Sequence, residues 1–121
     1  MDKRYLEIIT QHPTAWLDHR DFAINLVKTI QPKIILDLGV DFGYSTFCWA
    51  YNNIGKVYGV DCFCGTDHPS DRDAYNKVMQ TKDQLSKEFN INVEIITSKF
   101  DNFHKSWNDV INILHIDGDH S

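Results

Sequence analysis

Two spacings of apolar residues take turns along this chain: short runs rich in isoleucine and valine, and longer stretches with helical recurrence. Between His12-Pro13 and Gln31-Pro32, the residues Trp16, Leu17, Phe22, Ala23, Leu26, Val27 and Ile30 predict a helix that Pro32 ends. Residues 33–38 are a short run rich in isoleucine, with no polar alternation between Lys33 and Asp37, as expected of a strand covered on both faces. Gly39 and Gly43 then predict a tight turn into a second helix, from 44 to about 53, which Asn52-Asn53-Ile54-Gly55 closes. A second strand follows over 56–60. Ser70-Asp71-Arg72-Asp73 reads as a capping-box variant that opens a long helix to about 89, with Tyr75, Val78, Met79, Leu85 and Phe89 as its buried stripe. Residues 92–97 and 110–116 predict the third and fourth strands, with a short helix or turn over 100–107 between them. Strands alternating with helices imply right-handed crossovers. The expected architecture is therefore α/β, a parallel sheet of about four strands with flanking helices. Near the start, Tyr5, Leu6, Ile8 and Ile9 leave two readings open, a short lid helix or a segment packed against the sheet.

Composition narrows the class. With 121 residues, 42% of them hydrophobic and 24% charged, the chain suits one soluble domain without linkers or repeats. A formal charge of −5, with scattered Lys and Arg, offers no basic footprint for nucleic acid or an anionic membrane, so the expected partner is a small molecule. No apolar stretch approaches the roughly 18 to 20 residues of a membrane-spanning helix, and the opening residues lack a signal-peptide core. A cytoplasmic location is the expectation. Cys48, Cys62 and Cys64 are odd in number and lack a framework spacing, so reduced thiols are expected.

The chemistry gathers at the strand ends, which a parallel sheet collects on one edge, where ligands of open α/β folds bind. After the first strand comes Asp37-Leu38-Gly39-Val40-Asp41-Phe42-Gly43-Tyr44-Ser45-Thr46. Gly39 permits close backbone approach to a ligand, and Gly43 lets the next helix pack against the strand. The pattern Asp-x-Gly-x-x-x-Gly departs from the Gly-x-Gly-x-x-Gly of dinucleotide sites, which argues against pyrophosphate. A plain glycine turn also accounts for it. Asp61 ends the second strand eighteen residues beyond Gly43, where a carboxylate can accept hydrogen bonds from a ribose diol. Ser98 and Lys99 follow the third strand and either border an adenine pocket or form an ordinary polar exit.

The fourth strand delivers Asp117-Gly118-Asp119-His120-Ser121. Asp117 and Asp119 are oxygen donors suited to a hard cation, and His120 can take a proton from an attacking hydroxyl. Two carboxylates and one imidazole do not complete a magnesium site, and a solvated acidic turn is the plainer alternative. His115 alternates with its strand neighbours and reads as packing rather than as a ligand. Cys62-x-Cys64-x-x-x-His68 lacks the ligand number and spacing of a tetrahedral zinc site.

Residues 36–46, 57–61 and 115–121, in that order and spacing, resemble the class I S-adenosylmethionine-dependent methyltransferases. The likeness is greatest to the branch near macrocin O-methyltransferases and cephalosporin-hydroxylase-like proteins, whose fourth strand ends in Asp-Gly-(Asp/Ser)-His. It covers about residues 14 to 121 and implies an α/β, Rossmann-like parallel sheet with flanking helices, incomplete at about four strands in the order 3-2-1-4. The resemblance implies that Gly39 and Gly43 line the methionine end of S-adenosylmethionine, that Asp37 approaches its amino group, and that Asp61 holds the ribose hydroxyls. Val40 and Ser45, inside the first matching stretch, and Cys62, directly after the second, join the cofactor-binding set, with Ser98 at the adenine. Asp117 would lie near the transferred methyl group and, in metal-using relatives, bind Mg2+; His120 is the candidate base. Such domains continue beyond a fourth strand, so the expectation is a single methyltransferase domain over 1–121, truncated there. Its fourth-strand edge would be open to self-association or a complementing chain. The implied activity is methyl transfer to an oxygen of a small molecule or sugar. The alternatives are a noncatalytic remnant that binds a cofactor or partner, and a NAD-type oxidoreductase.

Overall fold

Four parallel strands, β1 (Ile34–Leu38), β2 (Lys56–Asp61), β3 (Val93–Thr97) and β4 (Ile113–Ile116), lie in the order β3-β2-β1-β4 in the computed structural model. This is the sheet order expected of the sequence. The structure describes residues 1–11, 19–40, 43–62, 70–98 and 110–116. Among the described residues four helices accompany the strands: α1 (Lys3–Ile9), α2 (His19–Ile30), α3 (Tyr44–Ala50) and α4 (Ser70–Glu88). The short helix or turn expected over 100–107 lies outside the described residues.

Register decides which side chains meet. On β1, Ile35 joins a core shared with Val27 of α2, Phe47 and Trp49 of α3, and Val78 and Leu85 of α4. Asp37, two residues further along, faces the same way because strand side chains alternate. Leu36 and Leu38 face the opposite side, where they cluster with Tyr58, Val60, Ile96 and Ile111. In register, Asp37 stands beside Gly59 of β2 on one flank and His115 of β4 on the other.

The N-terminal segment resolves into a helix that belongs to the core rather than to a lid. Asp2 caps it, its carboxylate accepting from the backbone N–H groups of Arg4 (2.8 Å) and Tyr5 (3.2 Å). Tyr5 and Ile8 are fully buried, and the Tyr5 ring meets Tyr51 and Phe89 edge-on at centroid distances of 4.9 and 5.2 Å. Its hydroxyl donates to the Phe47 carbonyl at 2.6 Å. That bond satisfies a carbonyl near the end of α3, whose last turn tightens with Tyr51 N–H donating to the Cys48 carbonyl.

In α4 the buried stripe is Ala74, Val78, Thr81 and Leu85, with Met79 and Phe89 only half-buried. Tyr75, expected inside, is exposed. One helical face is too narrow for both Ala74 and its immediate neighbour, and the smaller residue takes the inward position. On α2, Phe22 is likewise exposed, although its ring meets Trp49 edge-on at 6.4 Å.

Candidate functional site at the strand ends

The tips of β1, β2 and β3 converge. The chain leaves β1 through Gly39, at φ +98°, whose N–H donates to the Val60 carbonyl at 2.8 Å. The next amide, Val40 N–H, donates to Asp61 Oδ2 at 2.9 Å. At the third tip, Ser98 N–H donates to the Asp61 backbone carbonyl at 3.1 Å. Asp61 therefore holds the glycine turn with its side chain and the exit of β3 with its main chain. It is only half-buried. A half-buried carboxylate beside a glycine turn presents acceptor oxygens where polar hydroxyls of a ligand can reach them.

Gly43 sets the start of α3. Its φ of +92° is costly for residues bearing a Cβ, and a Cβ there would stand 2.6 Å from Phe47 Cε2. Close packing of α3 on the sheet also depends on Gly59. A Cβ at that position would come within 2.9 Å of Val40 Cγ2 and 3.1 Å of Thr46 Cγ2. Nothing in the sequence reading assigned Gly59 a role, although a glycine inside a strand is itself a sign of close approach by another segment.

Asp37 lies deeper. Its side chain has no exposed surface. Oδ2 accepts from the Ser45 hydroxyl at 2.9 Å and the Thr46 hydroxyl at 2.7 Å, and Oδ1 lies 2.7 Å from His115 Nδ1. A buried carboxylate is tolerated when hydrogen bonds meet its oxygens, and here three side chains do so. The resemblance implies an approach of Asp37 to a cofactor ammonium; in this structure the carboxylate is turned inward, onto α3 and β4. Ser45, expected among the cofactor-binding residues, is buried with its hydroxyl on Asp37. His115 does pack, its ring 5.6 Å from that of Trp49, but it also engages Asp37, a pairing the packing reading missed.

The cysteines divide. Cys48 is free and buried within α3, and burial pushes its thiol up to about 12, so it remains protonated and unreactive at neutral pH. Cys62, half-buried directly after Asp61, is disulfide-bonded. The expectation of a reduced thiol is thereby corrected at Cys62: an odd number of cysteines forbids pairing all of them, not pairing two. Asp117, Asp119 and His120 lie outside the described residues, as do Lys99 and the rest of the Cys62-x-Cys64-x-x-x-His68 stretch. Among the described residues no group of three or more His, Cys, Asp or Glu side chains could hold a metal ion. No helix among them is long and apolar enough to cross a membrane.

Comparison with known proteins agrees with this architecture. Residues 36–121 match a family model described as a methyltransferase domain. The SAH-bound methyltransferase PaMTH1 of Podospora anserina superposes with a TM-score of 0.74 at 15% identity, over 98% of this chain and 51% of that one. An O-methyltransferase of Bacillus cereus, solved in complex with SAH, gives 0.67 at 16% identity, over 98% of this chain and 56% of that one. The uncharacterized protein y4gI of Sinorhizobium fredii is 28% identical in an alignment 114 positions long that covers 88% of this chain and 12% of that protein. The chain thus spans about half the length of those solved structures and a small part of that longer relative. Neither the remnant nor the oxidoreductase reading is favoured by these matches. With a parallel β3-β2-β1-β4 sheet, a glycine turn after β1 and an acid ending β2, the chain belongs to the methyltransferase domain family and has its class I, Rossmann-like fold.

Proposed function

We propose that this chain is the cofactor-binding part of an S-adenosylmethionine-dependent methyltransferase that methylates an oxygen of a small molecule or sugar. The observation that carries the reading is the contact of the half-buried Asp61 carboxylate with Val40 N–H, which joins the glycine turn to the end of β2. S-adenosylmethionine, when bound, supplies a methyl group activated on a sulfonium. Asp61 is suited to accept from the ribose hydroxyls, while Gly39 and Val40 offer backbone that a ligand can approach closely. Carboxylates complement a ribose, an ammonium and a sulfonium better than phosphate-cradling basic residues would. Gly43 acts by seating α3 against the sheet, Ser45 by supporting the turn through Asp37, and Ser98 by bordering the adenine from the end of β3. Cys62 follows Asp61 directly and belongs to the same rim.

Asp117 and His120 complete the proposal from the sequence side. His120 takes the proton of the acceptor hydroxyl, and Asp117 stands near the methyl group, with Mg2+ in reach only if further oxygen donors join it. Residues 1–121 form part of a single methyltransferase domain whose fold is longer. The solved neighbours, about twice as long, support this, as do the exposed Leu114 and Ile116 on β4. A complementing chain or segment pairs with that edge, and a second copy is the competing occupant. The charge of −5 favours a small-molecule acceptor over nucleic acid, and the reading includes a cytoplasmic location.

Calorimetric titration with S-adenosylmethionine and with its demethylated product tests the cofactor. Methyl-transfer assays with and without a fragment supplying the rest of the fold test the chemistry. Saturable binding of both compounds, with turnover restored by the fragment, is the expected result. A melting temperature raised by NADH and unmoved by S-adenosylmethionine would overturn the reading.

A further inference from the structure

The Asp37 carboxylate joins three elements that the sequence keeps far apart. It sits in β1, takes the Ser45 and Thr46 hydroxyls from the first turn of α3, and meets His115 Nδ1 from β4. Asp37 and His115 are also direct partners in the β1–β4 register, so their side chains stand together on the face that α3 covers. With the two hydroxyls donating to Oδ2, the pairing proposed below has the His115 ring proton on Nδ1, donating to Oδ1. The Trp49 ring, 5.6 Å away, limits where the imidazole can turn.

We infer that Asp37 and His115 are a positioning pair: their contact locks the end of β4 to the glycine turn, so that both face the methyl donor as one preorganised surface. The inference rests on the methyl-donor reading and deepens it. Neither residue needs to touch the donor. Asp37 acts through Ser45 and Thr46 on the backbone that follows Gly43, and through His115 on the strand end that leads to Asp117. A site held by locked supporting groups does not have to order itself when the ligand arrives, and so binds more tightly.

The test compares substitutions that separate hydrogen bonding from packing. In His115→Asn the side-chain amide places a donor near the position of Nδ1, whereas His115→Phe keeps a ring beside Trp49 and removes the donor. The expected outcome is affinity for the demethylated cofactor within about threefold of the parent for His115→Asn, and a loss of about tenfold or more for His115→Phe, as removal of a charge-assisted hydrogen bond implies. The reverse order would show that His115 only fills space and would overturn the inference. Nitrogen-15 NMR of the unliganded protein supplies a readout that does not depend on ligand. It should show the His115 proton on Nδ1, and on Nε2 in Asp37→Asn, where the new amide can donate to Nδ1. A parent protein with the proton on Nε2 alone would refute the pair itself. If the NMR result held but the parent failed to bind the donor or its product, the methyl-donor reading would fall, and with it the role in binding, while the pair would stand as architecture.

Discussion

Asp37 and Asp61 look alike in sequence, each an acid near the end of an apolar strand, yet the structure treats them in opposite ways. Asp61 is the last residue of β2, half-buried, with Oδ2 on one backbone amide of the glycine turn. Asp37 is the penultimate residue of β1, has no exposed surface, and is met by three side chains from α3 and β4. One residue's difference in position relative to the strand end is enough. Inside the strand the carboxylate must find its partners within the protein; at the end it can share them with a ligand. The comparison teaches that in this fold an acid's distance from the strand terminus separates supporting roles from presenting ones.

The largest expected effect follows at Asp37. Asp37→Ala strands two hydroxyls and an imidazole N–H in a buried place, and should cost about 3–5 kcal/mol of stability. Urea unfolding followed by circular dichroism measures it. A loss below about 1 kcal/mol would mean the buried contacts are replaceable by water, and the contrast with Asp61 would fail.

Asp61→Ala should invert the pattern. Here the hydrogen bond from Val40 N–H is lost, worth about 0.5–1.5 kcal/mol of stability, whereas binding of S-adenosylmethionine should weaken by about 1–3 kcal/mol. Calorimetry on the same preparation used for unfolding gives both figures. Equal affinity in the mutant would remove Asp61 from the site.

Gly59 lies between the two acids, beside Asp37 in register and two residues before Asp61. Gly59→Ala would press a methyl group against Val40 Cγ2 and Thr46 Cγ2, at a cost of about 1–2 kcal/mol. Because Val40 and Thr46 belong to the separate networks of Asp61 and Asp37, the substitution should disturb both together. A change in unfolding midpoint without a change in cofactor affinity would show that the two networks can be uncoupled.

Much of this was legible in the chain because it depends on local rules. The apolar runs and the crossover rule yield the parallel sheet, the family resemblance supplies its order, and the strand ends point to Asp61 beside the glycine turn and to Ser98 at the next tip. What was not legible depends on register. No spacing in the sequence says that His115 stands beside Asp37, because the two are 78 positions apart and meet only through the alignment of β4 on β1. The same holds for Gly59, whose missing side chain matters only once Val40 and Thr46 lie against it. Tyr75 was misplaced for a different reason: helical spacing defines a stripe, but which of two adjacent residues turns inward depends on the room available in the core.

A third carboxylate extends the comparison to the surface, where the smallest effect is expected. Glu88, at the end of α4, receives Arg4 Nε at 2.8 Å and Nη2 at 3.1 Å from α1. The hydrogen bond from that guanidinium is the main reason its carboxyl is held below the ordinary value of 4.5. An acid whose proton affinity is lowered on folding stabilises the fold above its unfolded value and loses that contribution as pH falls through the folded one. The melting temperature of the parent should therefore exceed that of Glu88→Gln by a small, constant margin above pH 4.5. The margin should close on acidification below that point, and also shrink in concentrated salt, since both groups are solvent-exposed. A margin that survived acid and salt would assign the contact to packing between α1 and α4 rather than to charge. Glu88 would then belong with Asp37 as an architectural residue, and exposure alone would no longer order the three carboxylates.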